Sequence, residues 1–389
     1  MTDQDTLTSK IISALRFPLA VMVVVIHSWS PLRLMPFNPD WDSFTGMDFA
    51  IGLQVLLSNV VAKVAVPAFY VISGYLFFLH VKAFNRNTYI TKISKRARTI
   101  LFPYILWNLL GLLRSITLDL KDVAINAAPL SEILATIKER ISLSTFWNCN
   151  TWGLENVNWL GQITPGSGPI LIPMWFLRDL MVVILFTPII FYVLKRFKLT
   201  ALSILALNYI TGIWPIIPGF SINATFFFSL GAYFSIHGKD IVIEFQKYRI
   251  LVYILYIPLT IAELLFNSTS SWWGNRIYPF YMILSVVVVF NIIAAFITKG
   301  KGIWIIEMQK YTFFIYGAHS LFGFTIANFL LQIIPGHSTH WIGISVCYLL
   351  APVIAILTCI YTQRLLRKWC PQLLASLIGG RRHIAKRIK

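Results

Sequence analysis

The sequence predicts an all-α polytopic membrane bundle, and three observations predict it. Hydrophobic residues make up 57% of the 389 and charged residues only 12%, with a mean hydropathy of +0.71. That is too apolar for a soluble chain of this length. Apolar stretches close to the roughly 20 residues that span a bilayer recur along the chain. No strand-like alternation recurs, and a segment crossing lipid must satisfy its own backbone hydrogen bonds, so helices are expected rather than a barrel.

The apolar segments fall at 11–29, 51–79, 99–119, 173–194, 199–217, 222–236, 250–266, 278–298, 311–333 and 342–363, about ten transmembrane helices in a single domain over 1–389. The first follows a short polar head without a small-residue cleavage site, so it reads as a retained span. A net charge of +18 suggests nucleic acid at first sight, but its distribution suggests topology. With the N-terminus inside, the connections on that side carry 24 Lys and Arg against five on the other. The positive-inside rule requires this asymmetry, so both termini are expected in the cytoplasm and no nucleic-acid partner is implied. The basic tail over 370–389 is expected to lie against anionic membrane lipids. Cys149, Cys347, Cys359 and Cys370 have neither metal-ligand nor disulfide spacing, so no metal is expected.

Along the chain, ionisable groups inside apolar segments are the functional candidates, because bilayer placement makes them costly. The first span carries Arg16 and His27. Eleven residues make about three turns, so both side chains share one helix face, separated by roughly 16 Å. Trp29, Pro31, Pro36, Pro39 and Trp41 then break the helix at the outer interface. The second span carries Lys63, then Ser73-Gly74-Tyr75, where Gly74 permits close approach of a helix or ligand and the flanking hydroxyls stand beside it. Lys95, Arg96 and Arg98 lie where the third span begins, placed to meet phosphates from the cytoplasm.

Residues 120–172 form the long external loop, with a short amphipathic helix expected over 131–143. Its Trp147, Trp152 and Trp159, with neighbouring asparagines, suit either sugar stacking or an aromatic interfacial belt. The fourth span opens on Trp175, and Arg178 and Asp179, adjacent in sequence, are expected to seek partners on other helices. Glu263 is a candidate counter-charge for Lys63 or Arg114. The ninth span places His319 at lipid depth, after Ile315-Tyr316-Gly317-Ala318.

Taken in order, these residues resemble the acyltransferase-3 family of integral-membrane O-acyltransferases, bacterial proteins that typically O-acetylate surface or lipid-linked sugars. The resemblance rests on Arg16 and His27 with their spacing, Phe69-Tyr70-Val71-Ile72-Ser73-Gly74-Tyr75, Lys95-Arg96-Ala97-Arg98 with Pro103, Trp175-Phe176-Leu177, and the stretch ending in His319. Two departures are the absence of an aspartate shortly before Arg16 and the presence of Tyr70 where the family has phenylalanine.

The resemblance implies a multi-pass protein of the bacterial inner membrane with no bound cofactor, using cytoplasmic acetyl-CoA as co-substrate and a glycan or lipid-linked glycan hydroxyl as acceptor. Arg16, Lys95, Arg96, Arg98, Ser73 and Tyr75 would then hold the donor. His27 would act as general base or acyl carrier, and Lys63, Trp175 or His319 would touch the oxyanion or acceptor. A transporter or flippase of a lipid-linked sugar fits the same composition, although inverted repeats are not visible. The acceptor, the acyl chain and the oligomeric state are not encoded in any of these features.

Overall fold

The computed structural model describes residues 3–380 apart from 29, 33–34, 82, 127–129 and 267–272. Trp29, Arg33, Lys82 and the tail from Arg381 to Lys389 lie outside the described residues. The architecture is an all-α bundle. Its helices are α1 (Asp3–Ile26), α2 (Gly46–Gln54), α3 (Ala65–Phe78), α4 (Arg86–Arg96), α5 (Phe102–Asn126), α6 (Leu130–Arg140), α7 (Trp175–Leu185), α8 (Thr187–Thr211) and α9 (Ile222–Ile236). There follow α10 (Ile241–Lys247), α11 (Arg249–Phe266), α12 (Gly274–Thr298), α13 (Ile303–Met308), α14 (Thr312–Ala318), α15 (Phe324–Leu331), α16 (Trp341–Trp369) and α17 (Pro371–Leu377).

Among the described residues seven helical segments are long and apolar enough to cross a membrane, and an eighth arises if Ile172–Leu185 and Thr187–Thr211, bent by 63°, form one span. The expected ten counted the arms of this bent segment and the 15-residue α9 separately. Part of the reason is visible at Lys198, whose φ of 49° breaks α8 internally, within the polar stretch 195–198 that the hydropathy pattern placed between two spans.

Two spans are longer than their apolar cores, and the cause is local. Gly46–Phe78 starts ahead of the apolar run because Thr45 and Asp48 form a reciprocal capping box. Arg86–Lys121 starts thirteen residues before the expected 99, because the Asn85 side chain accepts the Thr88 N–H and nucleates α4. Lys95, Arg96 and Arg98 are therefore helical residues rather than loop residues.

Each of these two spans contains a π-helical turn, Val55–Val61 and Ala97–Leu101, and Ile303–Leu331 contains a third at His319–Gly323. A π-turn inserts a residue into the helical ladder and re-aims the side chains around it, and such turns gather at functional sites. All three flank positions that the sequence singles out, namely Lys63, the basic run at 95–98, and His319.

Gly74 of the Ser73-Gly74-Tyr75 triplet is the contact point of α3 with α9. A Cβ at Gly74 would overlap the Phe228 carbonyl, and one at Gly231 would overlap the Val71 carbonyl. The two glycines thus let the backbones of α3 and α9 touch. The adjacent Ser235 hydroxyl donates to the Tyr75 carbonyl at 2.5 Å. The neighbour that Gly74 admits is a helix.

The 120–172 segment contains the expected amphipathic helix, α6, and also an unforeseen antiparallel hairpin, β1 (Asn150–Val157) with β2 (Ile163–Gly168). Its strands contain Asn150, Gly153, Asn156, Pro165, Gly166 and Gly168, residue types depleted in strands, which is why alternation did not reveal it. The turn is set by Asn158, whose Oδ1 accepts the N–H groups of Leu160 and Gln162, and by Gly161 at φ 78°.

Arg178 and Asp179 do not find their ion-pair partners on other helices. They pair with each other, Arg178 Nη2 to Asp179 Oδ1 at 2.9 Å, and both are buried. The remaining guanidinium N–H groups donate to the carbonyls of Trp147, at 2.7 Å, and Ser167, at 3.1 Å. Adjacent residues can pair here because the long Arg178 side chain folds back while its far end reaches the loop. This buried pair ties both ends of the hairpin segment to α7.

Two outcomes follow for stability. Gly74→Val should cost at least about 2 kcal/mol through overpacking against α9, seen as a lower thermal midpoint of the detergent-solubilised protein. Asp179→Leu, which leaves the Arg178 charge buried and unpaired, should cost about 3–5 kcal/mol and expose residues 141–170 to limited proteolysis.

Candidate active site

The site is built on α1 and the span Ile303–Leu331, which lie side by side and run in the same direction. Arg16 Nη1 donates to Gln309 Oε1 at 3.4 Å. The rings of His27 and His319 lie 5.3 Å apart between centroids, tilted by 41°. Arg16 and His27 are eleven residues apart and Gln309 and His319 ten, so the two helices meet at two matched levels roughly 15 Å apart. Phe17 packs edge-on against Trp304 and fixes the lower level. One face of α1 therefore does present both residues to the protein interior.

At the histidine level His319 is fully buried. Its Nδ1 lies 3.0 Å from the Ile315 carbonyl. A carbonyl only accepts, so Nδ1 carries the proton, and in the neutral ring Nε2 is a bare acceptor. That Nε2 is buried and has no hydrogen-bond partner. A buried acceptor left open beside a second imidazole is a place where a proton or a substrate hydroxyl can be received.

One turn earlier the Tyr316 hydroxyl donates to the Pro173 carbonyl, and its ring packs against Phe176, so the Trp175-Phe176-Leu177 element abuts α14 just below His319. Trp175 itself is half-buried at the first position of α7. On the other side of α1, Ser58 lies 2.6 Å from the Tyr348 hydroxyl and donates to the Val25 carbonyl at 2.7 Å. These bonds seat the π-turn Val55–Val61 against the end of α1 that bears His27. Lys63, half-buried, follows on the turn Ala62–Val64, and that turn also packs against α1.

Glu263 is buried on α11, which packs on Val55–Val61. Arg114 is exposed and forms no ion pair with it, so the Arg114 pairing fails. Ser73 and Tyr75 are not at this level. Fifteen residues separate Ser58 from Ser73, on the order of 20 Å along the span, which puts both near the end that faces α4. There Lys92 Nζ donates to the Phe77 carbonyl at 2.6 Å.

At the arginine level the basic run divides. Arg96 turns inward, close enough to Arg16 for the two guanidinium charges to repel each other. Lys95 and Arg98 are exposed and line a surface groove of about 780 Å³ between the start of the third span and the α17 end, which includes Gly379 and Gly380. The helix period explains the division, since 95 and 98 share a face and 96 points elsewhere.

The structure adds residues that sequence reasoning passed over. Lys310, Arg364 and Arg367 surround the ring of Tyr311, with charge-to-centroid distances of 5.1, 5.8 and 6.0 Å. Tyr311 shares a 3₁₀ turn with Gln309, the partner of Arg16. In the sequence these cations read as topology charges only. A finer signal was present in the spacing of Arg364 and Arg367, three residues apart on one helix face.

The arrangement can therefore hold an anion at one level and move a proton at the other, between the same two helices. Residues 10–362 match the family described as an acyltransferase domain. A relative, the succinoglycan biosynthesis protein ExoH of Rhizobium meliloti (strain 1021), is 25% identical over 387 residues, covering 97% of this chain and 94% of that one. No solved structure matches. With the family match running through α1, both histidines and the first arginine level, the chain belongs to the acyltransferase-3 family and is a multi-pass membrane acyltransferase.

Proposed function

We propose that this protein moves an acyl group, acetyl in the simplest case, from cytoplasmic acyl-CoA to a hydroxyl of a surface or lipid-linked glycan on the outer side of the bacterial inner membrane. The observation that carries this reading is the pairing of one helix face with another at two levels, Arg16 with Gln309 and His27 with His319. The relative's name, a succinoglycan biosynthesis protein, supports a polysaccharide acceptor. The excess of basic residues on one set of connections supports donor entry from the Arg16 side.

In this reading Arg16 and Arg96 hold the donor diphosphate by charge-assisted hydrogen bonds. Lys95 and Arg98 line the approach along the groove. The extended pantetheine arm climbs between α1 and α14 and brings the thioester to His27. An imidazole whose ordinary pKa is about 6.5 suits proton transfer near neutrality. His27 takes the proton of the acceptor hydroxyl as its oxygen attacks the thioester carbonyl. The C–O bond forms, the C–S bond breaks, and the departing thiolate is protonated by the imidazolium. His319, protonated on Nδ1, offers its bare Nε2 to an N–H of His27 and stabilises the imidazolium as it forms. Lys63 supplies positive charge on the neighbouring turn for the developing oxyanion.

Acyl relay through a covalent His27 intermediate uses the same side chain. Incubation with labelled acyl-CoA in the absence of acceptor distinguishes it, since only the relay leaves label on the protein.

His27→Ala should give folded protein with transfer reduced by about 10²–10⁴-fold, the usual contribution of a general base, measured as acyl incorporation into glycan by membranes. His319→Gln, which keeps the polarity, should lower kcat by more than tenfold with little change in donor KM. Full activity in the His27 variant would discard the assignment.

A further inference from the structure

Five cations converge where α1, the turn Gln309–Tyr311 and the last turns of α16 meet, and among the described residues no carboxylate pairs with them. Arg16 has neutral Gln309 as its partner, and Arg96 adds a second guanidinium charge beside it. Lys310, Arg364 and Arg367 lie within 6.0 Å of the Tyr311 ring centre, with Arg364 Nε donating to the Tyr311 hydroxyl at 3.1 Å. The ion pairs among the described residues involve Arg140, Arg178 and Lys247, and none of these five. Glu307, the nearest carboxylate in sequence, is exposed and joins no ion pair.

Within this group Lys310 and Arg364 are exposed and Arg367 is half-buried, and Arg367 Nε and Nη2 are enclosed without a hydrogen-bond partner among the described residues. Arginine does not shed its charge in proteins, and an enclosed, unanswered charge is strongly unfavourable. The positive-inside rule accounts for exposed cations at a span end, but not for guanidinium nitrogens enclosed without an acceptor.

The amount of uncompensated charge points to the class of counter-ion. An anionic lipid headgroup such as phosphatidylglycerol brings about one negative charge, too little for five cations. A phosphate monoester alone carries about −1.5 to −2 at neutral pH, and a diphosphate in the same molecule brings the total to about four.

We propose that Lys310, Arg364 and Arg367, arranged around Tyr311, form a second phosphate station. It binds the ribose 3′-phosphate of the acyl donor, while Arg16 and Arg96 take the diphosphate. This deepens the acyl-CoA reading and rests on it. It makes the donor's terminal monoester, remote from the thioester, a determinant of affinity.

The test is equilibrium binding of CoA and of 3′-dephospho-CoA to the purified full chain in nanodiscs of phosphatidylcholine, for the wild type and for Arg364→Gln/Arg367→Gln. The wild type should bind CoA roughly tenfold or more tightly than dephospho-CoA, the value of about one charge-assisted hydrogen bond. In the double variant the ratio should fall to within about twofold, with dephospho-CoA affinity unchanged. That last measurement also reports that the variant is folded.

Equal wild-type affinity for the two ligands would overturn the station and leave the donor reading standing. Binding of neither would overturn both. A variant that keeps the wild-type ratio, or loses only co-purifying phosphatidylglycerol, would assign these arginines to lipid instead.

Discussion

A charged or imidazole side chain inside an apolar slab has no water to turn to, so the protein must supply its solvation or leave the group open for a ligand. The molecule does both on the shared face of α1 and Ile303–Leu331. Gln309 offers Arg16 a neutral acceptor at 3.4 Å, enough to orient the guanidinium without cancelling its charge. A carboxylate at that position would have neutralised the arginine and removed its attraction for a phosphate. At the other level the Ile315 carbonyl fixes one nitrogen of His319 and leaves the other open toward the interior. The two levels owe their separation to helical rise alone, so the distance between the arginine level and the histidine level is set by the backbone rather than by flexible loops.

The rest of the bundle can be understood as holding that face in place. The Gly74 and Gly231 contact joins α3 to α9 with no side chain between them, and Ser58 with Tyr348 seats the Val55–Val61 turn on α1. Trp107 sits against Gly317 and donates its indole N–H to the Leu377 carbonyl at 3.0 Å, linking α5, α14 and the end of α17 within one turn of His319. On the far side the Arg178–Asp179 pair binds the hairpin segment to α7, which the Tyr316–Pro173 contact in turn joins to α14. Each restraint joins segments distant in sequence, as a site positioned to a fraction of a helical turn requires.

Some of this was legible in the residues. Apolar composition, span length and the absence of strand alternation gave the fold class, and the eleven-residue interval between Arg16 and His27 gave a shared face, because helical period depends on nothing outside the helix. His319 was visible as an ionisable residue at lipid depth, but its neighbour was not, since contacts between spans far apart in sequence leave no mark in either one. The division of Lys95 and Arg98 from Arg96 was readable from the 3.6 period, and so was the common face of Arg364 and Arg367. What hid them was the topology signal, which gives every cation at a span end the same explanation. The hairpin at 150–168 was illegible for a different reason, because Asn158 and Gly161 determine its turn while its strands lack the usual composition.

The π-turns join these observations. Each inserts one residue into its span, and after the insertion the faces of the helix are rotated relative to an uninterrupted α-helix. In Ile303–Leu331 the insertion starts at His319, so the helix below it can keep Gln309 toward Arg16 while the segment above packs independently against α16. In Gly46–Phe78 the insertion lies between the capped start at Thr45 and the Gly74 contact, so Ser58 can reach Val25 while Gly74 still meets Phe228. In Arg86–Lys121 it comes directly after Arg96 and carries Arg98, where the inward and groove-facing cations part. A continuous α-helix would have to trade one of these contacts for the other. The irregular turns let a single span serve packing at one end and the candidate site at the other, and for that reason they fall beside the ionisable residues of its interior.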